Sequence, residues 1–205
     1  MTNEEAKAWT EARFGSAAVA TLDRMVDMVA NETMHQNLIA PSTMPNMWSR
    51  HVVDSLQLVD LAGNVEGSWT DIGTGGGFPG LAIAVIRPSA MTLVEPRRKR
   101  ATFLEAAAAA LGLATHVTVH ASKVEAIPEV TTAVISARAV ASIDMILRIA
   151  AHVSDEKTVW LLPRGRFDPS EMINLRQRWS FVFHVEQSLT DAESSIVVMT
   201  GVRAR

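Results

Sequence analysis

Five glycines crowd one short stretch of the chain, residues 69–80, which reads WTDIGTGGGFPG. An apolar run precedes them, and Asp71 lies just before the first glycine. A strand that leads into a glycine-rich turn and then a helix brings backbone N–H groups close to a ligand, because no Cβ blocks the approach. Glu95 follows about twenty residues after the loop, where a carboxylate can accept hydrogen bonds from a ribose diol. The spacing predicts a site for an adenosine-containing cofactor.

Two classes of cofactor fit these glycines. The string from Gly75 to Gly80 satisfies G-x-G-x-x-G, which is typical of nicotinamide and flavin enzymes. Asp71, in the order D-I-G-T-G, favours S-adenosylmethionine, because an acid at this place can hold the loop and the amino-acid portion of that cofactor. A length of 205 residues also favours it, since a dehydrogenase usually needs a second domain for its substrate. Pro79 suits the first turn of the helix that follows.

The residue inventory excludes several mechanisms. The chain has no cysteine, which removes disulfides, cysteine-based zinc sites and thiolate nucleophiles, and it has no tyrosine to act as an acid or base. Methylation of an exocyclic amino group would favour an Asn/Asp-Pro-Pro-aromatic motif after the fourth strand, where residues 136–139 read SARA.

Regular alternation of strands and helices follows the glycine turn. It predicts an α/β fold with a parallel sheet, right-handed crossovers and helices on both faces. The last two strands flank a polar turn and are expected to form a hairpin that gives the sheet one antiparallel edge. We predict further strands at 91–94, 116–120, 132–136, 158–162, 180–186 and 194–200, helices at 80–86, 97–111, 142–152 and 169–176, a turn at 122–127 and a loop at 163–167.

Residues 1–66 are predicted to form a helical segment packed on the core of a cofactor-binding domain at residues 67–205. Apolar spacing indicates helices at 4–13, 16–35 and 46–62, with a loop at the prolines between the last two. The N-terminus is acidic and polar, which argues against a signal peptide, and no apolar run is long enough to cross a membrane. We therefore expect a cytoplasmic protein without a membrane partner, and a monomer.

Charge is distributed unevenly along the chain. Residues 1–70 carry four basic and nine acidic residues, a net of 4 − 9 = −5, whereas residues 71–205 carry fifteen and thirteen, a net of 15 − 13 = +2. Four consecutive basic residues at 97–100 lie in the second part. This asymmetry permits a local anionic partner, although a basic run is more often a solvated helix start.

Two sets of polar residues outside the glycine turn are candidates for function. His51 and Asp54 are three residues apart on a predicted helix and therefore share a face. The favoured interpretation is a capped, solvated helix face or a pair that ties the N-terminal segment to the domain, and direct catalysis is the alternative. Arg138 follows the fourth strand, at the edge of the sheet where ligands bind, and is our candidate for the pivotal polar residue. The alternative for Arg138 is a buried arginine that pairs with a carboxylate for structure.

Several strings resemble the bacterial 16S rRNA guanine-N7 methyltransferases, also called the glucose-inhibited division protein B family. They are NLIA, WSRHVVDS, DIGTGGGFPG, K-R-x-x-F-L at 99–104, SKVE at 122–125 and SARA at 136–139. The resemblance extends from about residue 37 to the C-terminal hairpin. It implies a class I methyltransferase with a Rossmann-like, mostly parallel, seven-stranded sheet. Such an enzyme uses S-adenosylmethionine to methylate N7 of one guanine in the 16S rRNA of the small ribosomal subunit.

The resemblance also implies roles for individual residues. Gly73 and Phe78 match cofactor-binding positions, Val124 and Glu125 match the pair beside the adenine, and Arg138 matches an arginine at the junction of cofactor and substrate. Because guanine N7 carries a free lone pair and no proton, methyl transfer to it depends on positioning more than on a general base. We therefore expect no general base, and we also expect no metal ion. Our cofactor-binding candidates are therefore Asp71, Gly73, Gly75, Phe78, Glu95, Val124, Glu125 and Arg138, and our RNA-binding candidates are Arg50, His51, Lys99, Arg100, Lys123 and Arg164.

At two positions the chain departs from the pattern. The family usually has arginine where this chain has Lys123, and lysine where this chain has Arg164; charge is kept but its geometry changes. With a net charge of −3, naked RNA is expected to bind weakly, which favours a ribonucleoprotein particle as substrate. A nicotinamide or flavin enzyme and a non-catalytic RNA-binding assembly protein remain as alternatives.

Overall fold

A seven-stranded sheet forms the centre of the computed structural model, which describes residues Met1–Arg205. Its strands are β1 (Trp69–Ile72), β2 (Met91–Val94), β3 (Val117–His120), β4 (Val134–Ala137), β5 (Val159–Arg164), β6 (Trp179–Gln187) and β7 (Ser195–Ala204). They lie in the order β3-β2-β1-β4-β5-β7-β6. Strands β1 to β5 are parallel, and β7 runs antiparallel to both of its neighbours. The order reverses between β1 and β4, and ligands bind at the carboxyl ends of the strands beside such a point.

Helices cover both faces of the sheet, as the sequence predicts. They are α1 (Asn3–Phe14), α2 (Ser16–Thr33), α3 (Asp54–Ala62), α4 (Gly80–Ile86), α5 (Arg98–Ala110), α6 (Ile143–Ile149) and α7 (Pro169–Leu175). Successive residues of a strand alternate between two cores: Val134 joins the core shared with α4 and α5, and Ile135 joins the core shared with α6 and α7. None of the helices has both the length and the apolar composition needed to span a bilayer.

The N-terminal helices complete one of these cores. Leu22 and Met25 of α2 and Leu56 of α3 are fully buried in the same apolar cluster as Trp69 of β1 and Leu93 of β2. The apolar side chains of the first 66 residues therefore pack directly on one face of the sheet. The boundary between a segment at 1–66 and a domain at 67–205 itself stays a prediction.

The segment before α3 differs from the prediction. Residues Pro41–Asn46, of which all but Asn46 were predicted as loop, form a 3₁₀-helix. It begins with a proline, at a position where the missing N–H has no helical partner. Residues Trp48–Val53, predicted as the start of an α-helix, form a π-helix that continues into α3. Six residues are too few for apolar spacing to distinguish i→i+5 from i→i+4 hydrogen bonding. Short π-helical segments occur frequently at functional sites.

The last strands are longer than the sequence indicates. Pro163 and Arg164, predicted as loop, continue β5 and pair with Ile196 and Ser195 of β7. Proline is tolerated there because β4 pairs with β5 only as far as Leu161, so the missing N–H has no ladder partner on that side. The predicted hairpin is confirmed, and its turn lies at the same edge of the sheet as the carboxyl end of β5.

Candidate active site

The glycine loop, residues 73–78, leaves the carboxyl end of β1 where the order of the strands reverses. The N–H of Gly73 donates to the carbonyl of Val94 at the end of β2 (2.8 Å), so the loop begins as an extension of the sheet. Gly73 and Gly75 have φ angles of 71° and 61°, which residues with a Cβ rarely adopt. The backbone of both glycines lines a cavity of about 750 Å³.

A buried hydrogen-bond chain fixes the loop to the helix that follows it. One carboxylate oxygen of Asp71 accepts from the N–H of Gly80 (3.0 Å), and the other accepts from the hydroxyl of Ser136 (2.6 Å). That hydroxyl in turn accepts from the indole N–H of Trp69 (2.9 Å). The Asp71 side chain is fully buried, and desolvation raises its pKa to about 6 despite these hydrogen bonds. The carboxylate holds the loop, and its predicted contact with a cofactor stays a prediction.

At three of the five glycines an added Cβ would clash with another part of the protein. At Gly73 it would lie 2.6 Å from Cγ2 of Val140, and at Gly80 and Gly77 it would enter the packed core. A Cβ on Gly80 would lie 2.5 Å from Cδ2 of Leu93 and 2.6 Å from Cβ of Asp71. A Cβ on Gly77 would lie 2.9 Å from Cε of Met25 in α2. We predicted that these glycines allow a ligand to approach, and at these two positions the close neighbours are instead the sheet and the N-terminal helices.

Glu95 directly follows β2 and is almost fully buried. Its carboxylate accepts from the N–H of Gly75 (3.0 Å) and from the N–H of Arg97 (2.8 Å). The side chain therefore closes the glycine loop from the β2 side, next to the cavity but not in its lining. The predicted contact with a ribose stays a prediction, and the geometry places the carboxylate beside the loop, as that role requires.

The π-helix presents His51 to the glycine loop. The imidazole stacks on Phe78, with ring centroids 5.1 Å apart, and only 9% of the residue is exposed. Arg138 donates to Nδ1 (3.2 Å), so Nε2 carries the proton and donates to the hydroxyl of Thr43 (2.8 Å). Burial, followed by the nearby charges of Arg138 and Arg50, lowers the pKa of His51 to about 3. The ring is neutral at physiological pH.

Arg138 joins the glycine loop to the N-terminal helices. Its Nη1 donates to Asp54 Oδ2 (3.0 Å) and to the carbonyl of Arg50 (3.4 Å), and its Nη2 contacts His51. Its guanidinium lies 5.8 Å from the ring centroid of Phe78. The predicted link between the N-terminal segment and the domain is present, but it runs through Arg138, because His51 and Asp54 contact the arginine and make no hydrogen bond to each other. Arg138 pairs with a carboxylate and also lines the cavity.

The turn between β6 and β7 completes this cluster. Asp54 Oδ1 accepts from the hydroxyls of Ser188 (3.3 Å) and Thr190 (3.2 Å), and Gln57 accepts from the N–H of Leu189 (2.9 Å). Gln57 and the residues of this turn are not among the site residues predicted from the sequence. No local signal identifies them, because more than 130 positions separate them along the chain from their partners in α3.

The cavity brings together about half of the predicted site residues. It lies between the glycine loop, the π-helix, the start of the segment after β4, the end of β5 and the turn before β7. The predicted residues in its lining are Gly73, Gly75, Phe78, Arg138, Arg50, His51, Arg100 and Arg164.

The other six candidates lie outside the lining, and two of them, Asp71 and Glu95, hold the glycine loop through hydrogen bonds. Lys99 and Lys123 are exposed, as is Glu125, whereas the side chain of Val124 is buried in the core on the α6 and α7 face. All four belong to the side of the sheet formed by β2 and β3 and the elements that follow them. The structure thus divides the candidates into a group around Arg138 and a group toward β3.

The reversed β7 between β5 and β6, together with a glycine loop after β1, defines the fold of the class I methyltransferases. The structure is similar to a tRNA methyltransferase of B. subtilis (TrmK; TM-score 0.57, 15% identity, 74% of this chain and 66% of that chain). It is also similar to an O-methyltransferase of Bacillus cereus in complex with S-adenosylhomocysteine (TM-score 0.59, 16% identity, 88% of this chain and 90% of that chain).

The chain belongs to the family of rRNA small subunit methyltransferase G, whose family model matches residues 18–197. A ribosomal RNA small subunit methyltransferase G of Rhizorhabdus wittichii is 44% identical over 209 residues, which cover 100% of this chain and 95% of that protein. The protein of the same name from Zymomonas mobilis is 40% identical over 215 residues, which cover 100% of this chain and 96% of that protein. The resemblance stated from the sequence motifs is confirmed.

Proposed function

We propose that this protein transfers the methyl group of S-adenosylmethionine to N7 of one guanine in 16S rRNA. The observation that carries the proposal is the position of Arg138. Its guanidinium lines the cavity beside the glycine loop, where a cofactor and a base would meet. Relatives over the full length of the chain are named for methylation of small-subunit rRNA, which supports the substrate class.

The glycine loop fits the proposed cofactor. A Cβ built on Gly75 would meet no atom closer than 3.7 Å, so this part of the loop faces open space rather than protein. When bound, S-adenosylmethionine supplies an electrophilic methyl group on a sulfonium. We assign Gly73, Gly75 and Phe78 to its methionine side, Glu95 to its ribose, Val124 and Glu125 to its adenine, and Asp71 to the support of the loop.

The residues around the cavity suit a reaction that removes no proton from its nucleophile. His51 is neutral, and its Nδ1 accepts a hydrogen bond from Arg138, so the imidazole is not a free base. Arg138 offers five N–H groups, of which three have partners in Asp54, Arg50 and His51. The remaining two can donate to O6 of a guanine and leave N7 free to react. Arg138 thus orients the base, and positioning supplies most of the rate enhancement.

The cavity is bordered by cationic groups that suit an RNA backbone. Arg50, Arg100 and Arg164 are proposed to contact phosphates, with Lys99 and Lys123 further out. A net charge of −3 disfavours tight binding of naked RNA. We therefore propose that the substrate is a small-subunit ribonucleoprotein particle in the cytoplasm, and that the enzyme acts as a monomer.

Two other functions follow from the sequence and make different predictions. A nicotinamide or flavin enzyme would use the same glycine pattern, but its usual sheet is parallel throughout, whereas β7 is reversed here. A non-catalytic assembly protein would bind the particle and the cofactor without turnover.

Mapping of N7-methylguanosine in 16S rRNA, from cells with and without this protein, tests the proposal directly. We expect one site of base-specific cleavage to be absent in cells that lack the gene. Expression of the wild-type chain should restore this site, and expression of Arg138→Ala should not. Calorimetry should show binding of S-adenosylhomocysteine and not of NAD. An unchanged methylation map, or tight binding of NAD alone, would overturn the proposal. Transfer of a labelled methyl group to small subunits, with naked 16S rRNA as the control, distinguishes an enzyme from an assembly protein.

A further inference from the structure

Four arginines along the cavity each pair with a carboxylate of the same chain. Arg138 pairs with Asp54 and Arg164 with Glu171 (3.5 Å), and both of these pairs are partly buried. Arg50 pairs with Asp191 (2.5 Å) and Arg166 pairs with Glu193, and these two pairs are more exposed. A fifth arginine of the lining, Arg100, donates to the carbonyl of Asn37 and has no acidic partner. Four of the five arginines that line the cavity are thus paired with carboxylates of the protein itself.

The two more exposed pairs share one origin. Asp191 and Glu193 both belong to the turn between β6 and β7, which reaches the cavity from the hairpin. The turn is held in place: Asp191 Oδ1 accepts from the N–H of Glu193 (2.9 Å), and Leu189 is hydrogen-bonded to Gln57 of α3. The backbone of the turn is therefore held in place, and its two carboxylates lie beside Arg50 and Arg166.

We propose that the carboxylates of Asp191 and Glu193 occupy the places of two RNA phosphates on Arg50 and Arg166, and that the substrate displaces them. The inference rests on the proposed function in one respect, namely that the anionic ligand of this face is RNA. Exposed ion pairs contribute little to stability because water and salt screen them, so these two can exchange partners, unlike the partly buried pair of Arg138 with Asp54. An RNA that places a phosphate on only one of the two arginines gains little binding free energy, because that phosphate must compete with the carboxylate already paired with the arginine. The turn thereby discriminates against RNA of arbitrary shape.

The variant Asp191→Asn/Glu193→Gln tests this competition. Asparagine keeps the Oδ1 atom that accepts from the N–H of residue 193, so the turn keeps its hydrogen bond while both charges are removed. We expect this variant to bind a naked single-stranded RNA about 3- to 10-fold more tightly at physiological salt, as two weak pairs allow. We also expect the slope of log K against log salt to become steeper by about 0.7 for each released arginine.

The matched control removes the same net charge elsewhere. Asp60 pairs with Arg13, and Glu156 pairs with Arg203 (3.5 Å); both pairs are exposed and outside the lining of the cavity. Asp60→Asn/Glu156→Gln should change the affinity for RNA much less than the turn variant, Asp191→Asn/Glu193→Gln, does. Adding Arg50→Gln and Arg166→Gln to the turn variant should abolish the gain.

Each outcome of the binding experiment decides the inference. A gain in RNA affinity that is seen only in Asp191→Asn/Glu193→Gln, and that is lost when Arg50 and Arg166 are also replaced, supports competition between the carboxylates and RNA phosphates. An equal gain in the control, or no gain in either variant, overturns it. Failure of the proposed function is detected separately, by the absence of methyl transfer from wild-type protein to small subunits. If wild-type protein methylates small subunits but the variant shows no gain in RNA affinity, the proposed competition fails and the proposed function stands.

Discussion

The guanidinium of Arg138 lies 3.0 Å from the carboxylate of Asp54, although 84 positions of sequence separate the two residues. Asp54 is the first residue of α3, and Arg138 directly follows β4. Asp54 in turn accepts from the hydroxyls of Ser188 and Thr190 in the hairpin turn. This one ion pair connects the N-terminal helices, the sheet and the hairpin at the edge of the cavity, and it fixes the orientation of Arg138.

Arg138→Ala should abolish methyl transfer while the fold survives. Asp54 keeps its hydrogen bonds from Ser188 and Thr190, so we expect the free energy of unfolding to fall by only about 1–2 kcal/mol. Arg138→Lys should also lose most activity, because an ammonium cannot reach Asp54 and His51 together as a planar fork does. The measurement is single-turnover methylation of small subunits, with urea unfolding as the test of fold. Arg178→Ala, which breaks an exposed pair with Asp144 outside the cavity lining, is the control and should remain active. Normal methylation by Arg138→Ala would refute the proposed role of Arg138 in orienting the base.

Gly80→Ala should destabilise the protein through overpacking. The added Cβ would lie 2.5 Å from Leu93 and 2.6 Å from Asp71, both in fully buried positions of the sheet. We expect the free energy of unfolding to fall by about 1–3 kcal/mol. Gly165→Ala, where a Cβ would meet no atom within 4 Å, provides the comparison in urea unfolding. Equal stabilities of the two variants would show that α4 can move away from the sheet at little cost.

His51→Gln should make the protein less sensitive to acid. The pKa of His51 is about 3 in the folded protein and about 6.5 in an unfolded chain. Between these values the unfolded chain binds a proton that the folded protein does not, so wild-type stability falls as pH drops below about 6.5. The full difference corresponds to about 5 kcal/mol as an order of magnitude. Unfolding by urea at pH 7, 6 and 5 should show a smaller loss for the variant, and parallel losses would contradict the buried neutral histidine.

Asp71→Asn should have the opposite effect on the dependence of stability on pH. Burial raises the pKa of Asp71 from 3.8 to about 6, so the folded protein retains a proton that the unfolded chain loses between these values. Wild-type stability therefore decreases as pH rises through this window, by about 3 kcal/mol as an order of magnitude. As the pH rises from 4 to 6.5, the free energy of unfolding of Asp71→Asn should increase relative to that of the wild type. A constant difference over that range would mean that the carboxyl group is not perturbed.

The sequence alone determined the architecture and the place of the cofactor loop. Both depend on local properties: the alternation of apolar residues along each strand, the spacing of apolar residues along each helix, and glycines at Gly73 and Gly75, where φ is positive. Family-specific strings in this one sequence were sufficient to name the class of enzyme, and the family model and the relatives confirmed it.

Only the tertiary structure decided how the site residues are arranged. Local patterns do not show that Gly80 is required by Leu93 and Asp71, or that Arg138 stands between His51 and Asp54. They also do not show that an acidic turn pairs with two of the arginines beside the cavity, Arg50 and Arg166. These contacts join residues up to 141 positions apart, and such a contact depends on which strand ends the sheet brings together. Propensity and periodicity describe neighbours along the chain, whereas burial, charge pairing and the shifted pKa values of Asp71 and His51 depend on neighbours in space.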